Sequence, residues 1–542
     1  MTTDSDKRKF LKTAGTLLGG AGIAAMTPIK AWSMAPGLIT SESSRPQLPQ
    51  GIQFGDVTAS KGLVWSRADR ASRMLVEYSY DENFWRSTTV RGPYALEKND
   101  FTARLDLANL VPDRDVFVRV SFQDLDNDRI LSEPVEGHFV TAPVYPSRDL
   151  HFLWSGDTAG QGYGINPEFG GMRMYETMRQ EKPDFFIHSG DNIYADGPIS
   201  EYQQAEDGLI WHNLVTEDVS KVAETLAEYR GRYKYNMLDH NVRAFNASVP
   251  QIWQWDDHEV VNNWSDSKDL SGDDRYTEKN IQLLIARGST AFMEYAPMRP
   301  FSAKEQDRVY RHIPYSSLLD MFVIDMRSYR GPNSANNQTE ASDETQFFGE
   351  QQLNWLKHKL LTSKSVWKVV ASDMPIGLMV RDGAEKFENM ANGDGEPMGR
   401  ELEMANLLRF IKKHKIKNVV WLTADVHYCA AHHYTPENAV FKDFSPFWEF
   451  VAGPINAGSF GPNALDNTFG PEVVFEKSPP SANMSPMAGF QFYGDVKIDK
   501  FSNDMTVSLK DIDGNTVYSK ELQPEFDRHR FGWGPETKPN RW

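Results

Sequence analysis

Four short blocks, each rich in Asp or His, close four apolar runs. They are His151-Phe152-Leu153-Trp154-Ser155-Gly156-Asp157, the stretch from Asp184 to Asp196, Ile252-Trp253-Gln254-Trp255-Asp256-Asp257-His258-Glu259, and Val419-Val420-Trp421-Leu422-Thr423-Ala424-Asp425-Val426-His427. Their carboxylates, imidazoles, amides and one phenol are the ligand types of hard cations. So many acids in one place repel one another unless cations neutralise them. Two such cations side by side can hold both the attacking and the leaving oxygen of a phosphoryl group and lower the pKa of a bound water, whose hydroxide attacks phosphorus in line.

Each residue has a reading in that chemistry. Asp191 follows Gly190, whose backbone freedom lifts the carboxylate off its strand, and its two oxygens suit a bridge between metals. Tyr194 offers a phenolate, a donor that favours Fe(III). Asp157 is expected on the same metal as Tyr194, and Asp257 is a further ligand. His258 is then left to face the substrate and protonate the leaving alkoxide, as the catalytic acid. One amide of Asn262-Asn263 is a possible donor to a hard cation. Asp425 and His427, two apart on an extended segment, share a face and suit one metal or two neighbours. Asp373 is a weaker candidate at another strand end, and His188 reads as a core histidine. Arg327 and Arg330 have two readings, a phosphate clamp or ion pairs with nearby acids.

The elements that position these residues follow from the pattern. Apolar runs of this length are strands buried on both faces. Strands that end in acids deliver them to one edge of a parallel sheet. Helical stretches are expected over 171–180, 217–238, 275–294, 349–361 and 400–414, with further buried strands over 318–325 and 366–372, an α/β plan. Residues 331–346 and 382–398 are long polar loops that read as a rim or lid, or as solvated surface. Before this part, alternating segments at 63–66, 74–80, 101–107, 116–122 and 138–141 read as a small β-sandwich over 51–142. After it, 506–509 and 516–518 flank an Asp513-Gly514 hairpin turn.

The chain has 542 residues, so more than one domain is expected. Its net charge of -17 argues against a nucleic-acid partner. With Cys429 as the single cysteine no internal disulfide is possible. Cys429 reads as a buried small hydrophobe, with a soft metal ligand as the alternative. Residues 1–35 read as an export signal: a basic stretch, Asp6-Lys7-Arg8-Lys9-Phe10-Leu11-Lys12, leads into a Gly- and Ala-rich apolar segment. That segment is shorter than a membrane span requires, and no transmembrane segment is expected elsewhere. Residues 36–50 read as a linker and 531–542 as a C-terminal extension.

Gly190-Asp191-Asn192-Ile193-Tyr194, Trp255-Asp256-Asp257-His258-Glu259-Val260, Asp325-Met326-Arg327-Ser328-Tyr329-Arg330 and Thr423-Ala424-Asp425-Val426-His427 resemble, in that order, the PhoD-type alkaline phosphatases of the metallophosphoesterase superfamily. The β-rich segment before them resembles that family's N-terminal domain. The resemblance implies a four-layer αββα catalytic core, here residues 147–530, with metals at the strand ends. It implies Fe(III) and Ca(II), with Mn or Zn as alternatives, and Asp157, Asp191, Tyr194, Asp257, Asp425 and His427 as the metal set. It implies export by the twin-arginine machinery to the periplasm or outside the cell, although Lys7-Arg8 stands where the arginine pair would be. Well-known members carry a Cys where this chain has Asp157, and an oxygen there shifts metal choice away from a Cys-bound ferric site. The expected activity is hydrolysis of a small phosphate ester. Two other readings are a phosphodiesterase or phospholipase D-like hydrolase with the same centre, and a cell-surface binding protein that works through its sandwich.

Overall fold

The apolar runs that close in acids are strands, and the acids stand just past their C-terminal ends. Residues 44–393 and 395–526 are described by the computed structural model. The export signal expected over 1–35, the first part of the linker and the extension over 531–542 lie outside the described residues.

The chain opens with β1 (Ile52–Gly55), β2 (Lys61–Arg67), β3 (Ser72–Ser79), β4 (Ser87–Ala95), β5 (Thr102–Ala108), β6 (Asp115–Asp124) and β7 (Val135–Val140). β1 is too short to show a period, and β4 is polar and mostly exposed, so neither carried an alternation signal. Next come β8 (Leu150–Ser155), β9 (Phe185–Ser189), the small hairpin β10 (Tyr202–Gln204) and β11 (Ile210–His212), and β12 (Gln251–Gln254). Between them lie helices α1 (Arg173–Gln180), α2 (Leu226–Asn236) and α3 (His240–Asn246), and α4 (Ile281–Tyr295) follows. Two helices start later than the sequence pattern indicated. α2 begins at a capping box of Thr225 and Glu228, and α4 begins where the Asn280 side chain accepts from the Gln282 N–H. Such caps satisfy first-turn donors and so fix where a helix starts.

The second half holds β13 (Arg311–Pro314), β14 (Leu319–Val323), α5 (Glu350–Thr362), β15 (Trp367–Ala371), the two-residue strands β16 (Arg381–Asp382) and β17 (Lys386–Phe387), and α6 (Glu401–Lys413). It ends with β18 (Val419–Thr423), β19 (Cys429–Tyr434), β20 (Phe447–Val451), β21 (Pro471–Lys477), β22 (Phe492–Ile498), β23 (Met505–Asp511) and β24 (Thr516–Leu522). One nine-stranded sheet has the order β24-β23-β22-β8-β9-β12-β1-β2-β5, and a seven-stranded sheet has the order β13-β14-β15-β18-β20-β19-β21.

The two sheets face each other across a core that includes Phe152, Trp154, Ile187, Met321, Val369, Leu422 and Val507. Cys429 belongs to this core, as its hydrophobe reading required. On the outer face of the seven-stranded sheet, Trp421 and Val370 pack with Leu356 of α5 and Leu407 of α6. On the other outer face, Trp253 and Trp255 pack with Tyr229 and Phe292 of α2 and α4, while Leu153 and Phe186 pack with Met178 and Phe245 of α1 and α3. The layers are therefore α, β, β, α. β3, β4, β6 and β7 form a separate four-stranded sheet that packs with β1, β2 and β5 over Phe54, Val64, Met74, Val118 and Phe139. Among the described residues no helix is long and apolar enough to cross a membrane.

β8, β9 and β12 run parallel, as do β14, β15, β18 and β20, so six acid-bearing strand ends meet at one edge of the double sheet. Gln254, fully buried at the end of β12, joins the two sheets there: its Nε2 donates to the Ala371 carbonyl at 2.8 Å and to the Ile324 carbonyl at 3.1 Å.

Candidate metal centre

The strands stop where the backbone turns. Asp157, Asp191, Asp425, His427 and Asn263 all have φ between 52° and 69°, the left-handed region that non-glycine residues rarely adopt. Each such turn costs free energy, and residues in it concentrate where geometry serves function. These turns release the side chains from strand alternation and aim them at a common point. The extended, one-face arrangement expected for Asp425 and His427 is therefore not what forms, because both residues turn and their side chains face different partners.

Two glycines make room. A Cβ on Gly190, at φ 97°, would lie 2.6 Å from the Asp256 Cβ. A Cβ on Gly160 would lie 2.5 Å from the Tyr194 ring, so that ring rests on bare backbone.

His427, Asp157 and Tyr194 converge on one side. His427 Nε2 lies 3.0 Å from Asp157 Oδ1 and 2.9 Å from the Tyr194 hydroxyl, which donates to Asp157 at 3.3 Å. His427 Nδ1 is held by the Gly458 carbonyl, which orients Nε2 toward the cluster in the manner of a metal-ligating histidine. Asp157 Oδ2 is buried without a partner. Burial, and then the charges of Asp191 and Asp157, push the Tyr194 phenol well above its ordinary pKa. Only a bound cation would make it a phenolate.

Asp191 joins this side to the next. Donor atoms of Asp157, Asp191 and His427 lie within 4.8 Å of one another, and so do donor atoms of Asp191, Asp257 and His258. Burial and the like charges of Asp257, Asp256, Glu259 and Asp157 push the Asp191 carboxyl well above the usual range. Asp425, partly buried, is raised by burial and then by the like charges of Asp256, Glu388 and Asp257. A set of buried oxygens and one imidazole, mutually repelling and with an orphaned carboxylate oxygen, fits hard cations.

His258 is held by Asp196. Its Nδ1 is 2.6 Å from Asp196 Oδ1, its Nε2 is 3.9 Å from Asp257 Oδ1, and its ring lies over Tyr194 at 4.1 Å. Burial alone would lower the imidazole pKa, but Asp196 and Asp257 outweigh it and lift it to about 10. Asp196 was overlooked as a functional residue, although it closes the block that begins at Asp184. Glu259, also overlooked, accepts from the backbone N–H of Asn192 at 2.6 Å and of Asp256 at 2.8 Å, tying the two turns together. Burial pushes its carboxyl up to about 7 against those hydrogen bonds.

Other candidates fall behind this front. His188 is buried against Phe186 and Trp253, with Nε2 at 2.9 Å from the Thr158 hydroxyl, a core histidine. The Asn263 amide lies 2.8 Å from Glu388 Oε2 and 3.3 Å from Asp257 Oδ2. Asn262 is exposed, and its backbone N–H donates to Asp196. Asp373 and Arg327 are both fully buried, with Arg327 ion-paired to Asp256 and Glu388. Of the two readings for Arg327, ion pairing is the one the structure contains. Glu388 comes from the long polar loop over 382–398, where no sequence signal singled it out.

The chain matches the model of the PhoD-like phosphatase family over residues 152–509, and that of the PhoD-like phosphatase N-terminal domain over residues 31–143. It is 27% identical to alkaline phosphatase D of Bacillus subtilis (strain 168), across 88% of this chain and 79% of that protein. Its fold is similar to the solved structure of PhoD, with a TM-score of 0.67 at 21% identity over 89% of this chain and 91% of the other. It is also similar in fold to the purple acid phosphatase PPD1 of yellow lupin (Lupinus luteus), with a TM-score of 0.53 at 14% identity over 88% and 74%.

Proposed function

The chain belongs to the PhoD-like phosphatase family, and on that premise we propose that its metal centre hydrolyses small phosphomonoesters outside the cytoplasm. It is a metal-dependent phosphoric ester hydrolase. The observation that carries the site reading is the sharing of Asp191 between two groups of converging donors. In this reading Asp157, Tyr194 and His427 would hold one cation, Asp257 and Asp425 would hold another, and Asp191 would be shared between them. Fe(III) suits the phenol side and Ca(II) the all-oxygen side.

When bound, the cations supply positive charge to the phosphoryl oxygens and acidify a water. The remaining work belongs to the chain. His258 Nε2 gives its proton to the departing alcohol oxygen, and Asp196 keeps the imidazole charged and pointed inward. Glu259 fixes the two turns that carry Asp191 and Asp257. Export through the twin-arginine route, and a boundary near residues 142–147 between the catalytic part and an N-terminal β region that shares its sheet, complete the proposal. The likeness of the first 35 residues to a twin-arginine signal supports the export reading.

The test is elemental analysis of the purified protein, paired with hydrolysis of an aryl phosphate and of the bis-aryl diester. At least two metals per chain and faster release from the monoester are expected. Faster release from the diester would make the enzyme a phosphodiesterase with the same centre. Asp191→Ala should lose metal and activity together, and a variant that keeps both would refute the bridge.

A further inference from the structure

Behind the candidate ligands lies a positive charge that hydrolysis, as described above, does not use. The Arg327 side chain has no solvent exposure, so its guanidinium is out of reach of a substrate phosphate. Its Nε and Nη2 contact Asp256 Oδ1, and Nη2 lies 2.6 Å from Glu388 Oε1. Asp257 Oδ1 is 3.8 Å from Nη2 and Asp373 Oδ2 is 3.9 Å from Nε. All four carboxylates are buried. A guanidinium is not deprotonated in a protein, and its planar fork engages two carboxylates at once.

The surrounding fold is built to hold this group in place. Asp325, just past β14, accepts from the backbone N–H of Arg327 and of Ser328 at 2.9 Å each, from the Ser328 hydroxyl at 2.6 Å and from the Trp255 indole at 3.1 Å. That turn aims Arg327 inward. Glu388 is strapped from behind: Arg330 Nη2 and Arg400 Nη1, the latter at 2.7 Å, donate to its carbonyl. Arg400 also donates to the carbonyls of Gly331 at 2.8 Å and Pro332 at 2.7 Å, so both polar loops are tied to one point.

We propose that Arg327 is a resident cation of the centre: it fills the carboxylate cage of Asp256, Asp373 and Glu388 that a metal ion would otherwise enter, and so confines metal to the Asp257 side that faces Asp191. Arg327 is thus a positioning residue, acting through Asp256 and Asp257. It sets how many ions the site takes. A metal ion exchanges with solvent and a covalently held guanidinium does not, so one positive charge stays in the cage whatever the metal supply. The inference rests on the metal-centre reading.

The experiment compares the full-length wild-type, Arg327→Gln and Arg327→Lys proteins after dialysis against Ca2+, by elemental analysis and by thermal midpoint with and without EDTA. Arg327→Gln should hold about one additional Ca2+ per chain, and its midpoint should fall further in EDTA than that of the wild type. Arg327→Lys, which keeps the charge, should show the wild-type count. An Arg327→Gln protein with the wild-type count and the wild-type EDTA response overturns the inference. If Arg327→Gln does not fold, the charge-balanced double variant Arg327→Gln, Asp256→Asn decides. Folding with the wild-type metal count supports the inference, and failure to fold assigns Arg327 to packing and overturns it. A wild-type protein that takes up no metal at all would refute the metal-centre reading instead, and that outcome is visible in the same assay.

Discussion

At His258 two carboxylates meet one imidazole, and only one of them is a candidate metal ligand. Asp196 belongs to neither group of converging donors, yet its 2.6 Å contact fixes the ring and leaves Nε2 facing the centre. Burial alone would raise the Asp196 carboxyl, but the His258 charge and hydrogen bond, aided by the Asn262 N–H, hold it below the ordinary carboxylate range. Asp196→Asn should therefore lower kcat by about 10- to 100-fold, the usual effect of losing a group that orients a functional side chain. Metal content should stay at the wild-type level. His258→Ala should lower turnover further, again with metal retained. Loss of metal from His258→Ala would make it a ligand, and loss from Asp196→Asn would mean that Asp196 supports the ligands rather than the acid. His258 and the candidate donors were singled out in the sequence, because an apolar run ending in Asp announces a strand that delivers its acid to a sheet edge, whereas Asp196 was not. Glu388 and Arg327 show where legibility stops. Their pairing joins a long aperiodic loop to the end of β14, and nothing local in either segment specifies the other.

Among the elements, α6 begins at a buried acid pair. Glu401, in its first turn, is buried beside Asp466, and its carboxylate accepts from the backbone N–H of Met398 at 3.1 Å and of Asn392 at 3.2 Å. Burial, then the Asp466 charge and hydrogen bond, push Glu401 from 4.5 to about 9. The folded chain thus holds a proton here that the unfolded chain releases above its ordinary carboxylate pKa. The sign follows: this pair contributes fully below about pH 4.5 and loses its contribution as pH rises through about 9, by at most about 1.4 kcal/mol per pH unit. Glu401→Gln keeps one acceptor and donates an amide proton to Asp466 permanently. Its thermal midpoint relative to wild type should improve between pH 5 and pH 9. An unchanged difference at the two pH values would show that the pair does not hold a shared proton. Helix α6 itself was predicted within one residue at either end. The late starts of α2 and α4 were not predicted, because a cap outranks the periodicity that continues upstream of it.

For the whole molecule, the question is whether the N-terminal β region is a separate module. Its alternating strands were readable in sequence, but strand order is set by long-range register, and there the chain does something that alternation does not reveal. β1 pairs in parallel with β12 at Gly55 and Gln251, so β1, β2 and β5 extend the very sheet whose other strands carry Asp157, Asp191 and Asp257. The described residues from Arg45 onward form one compact unit. Asp56, at the end of β1, is the fastening. Its Oδ1 accepts from Arg311 Nη2 at 2.9 Å and Nε at 3.1 Å, its Oδ2 accepts from the Arg299 N–H at 2.8 Å, and Arg311 also donates to the Trp253 carbonyl of β12 at 2.9 Å. One buried ion pair thereby joins β1, β12 and the edge strand β13 of the opposite sheet. Removing one partner of such a pair leaves a buried charge uncompensated, at a cost of about 3–5 kcal/mol, whereas replacing both with apolar residues of similar volume is often neutral. Asp56→Ala should therefore lower stability to denaturant by that amount, and the Asp56→Leu, Arg311→Met pair should recover most of it. If Asp56→Ala unfolds within about 1 kcal/mol of wild type, a value expected of an exposed pair, the junction does not hold the sheet together. A loss of the expected size would make the N-terminal strands a structural part of the catalytic sheet, and a binding module detached from hydrolysis would then have no separate fold to work with.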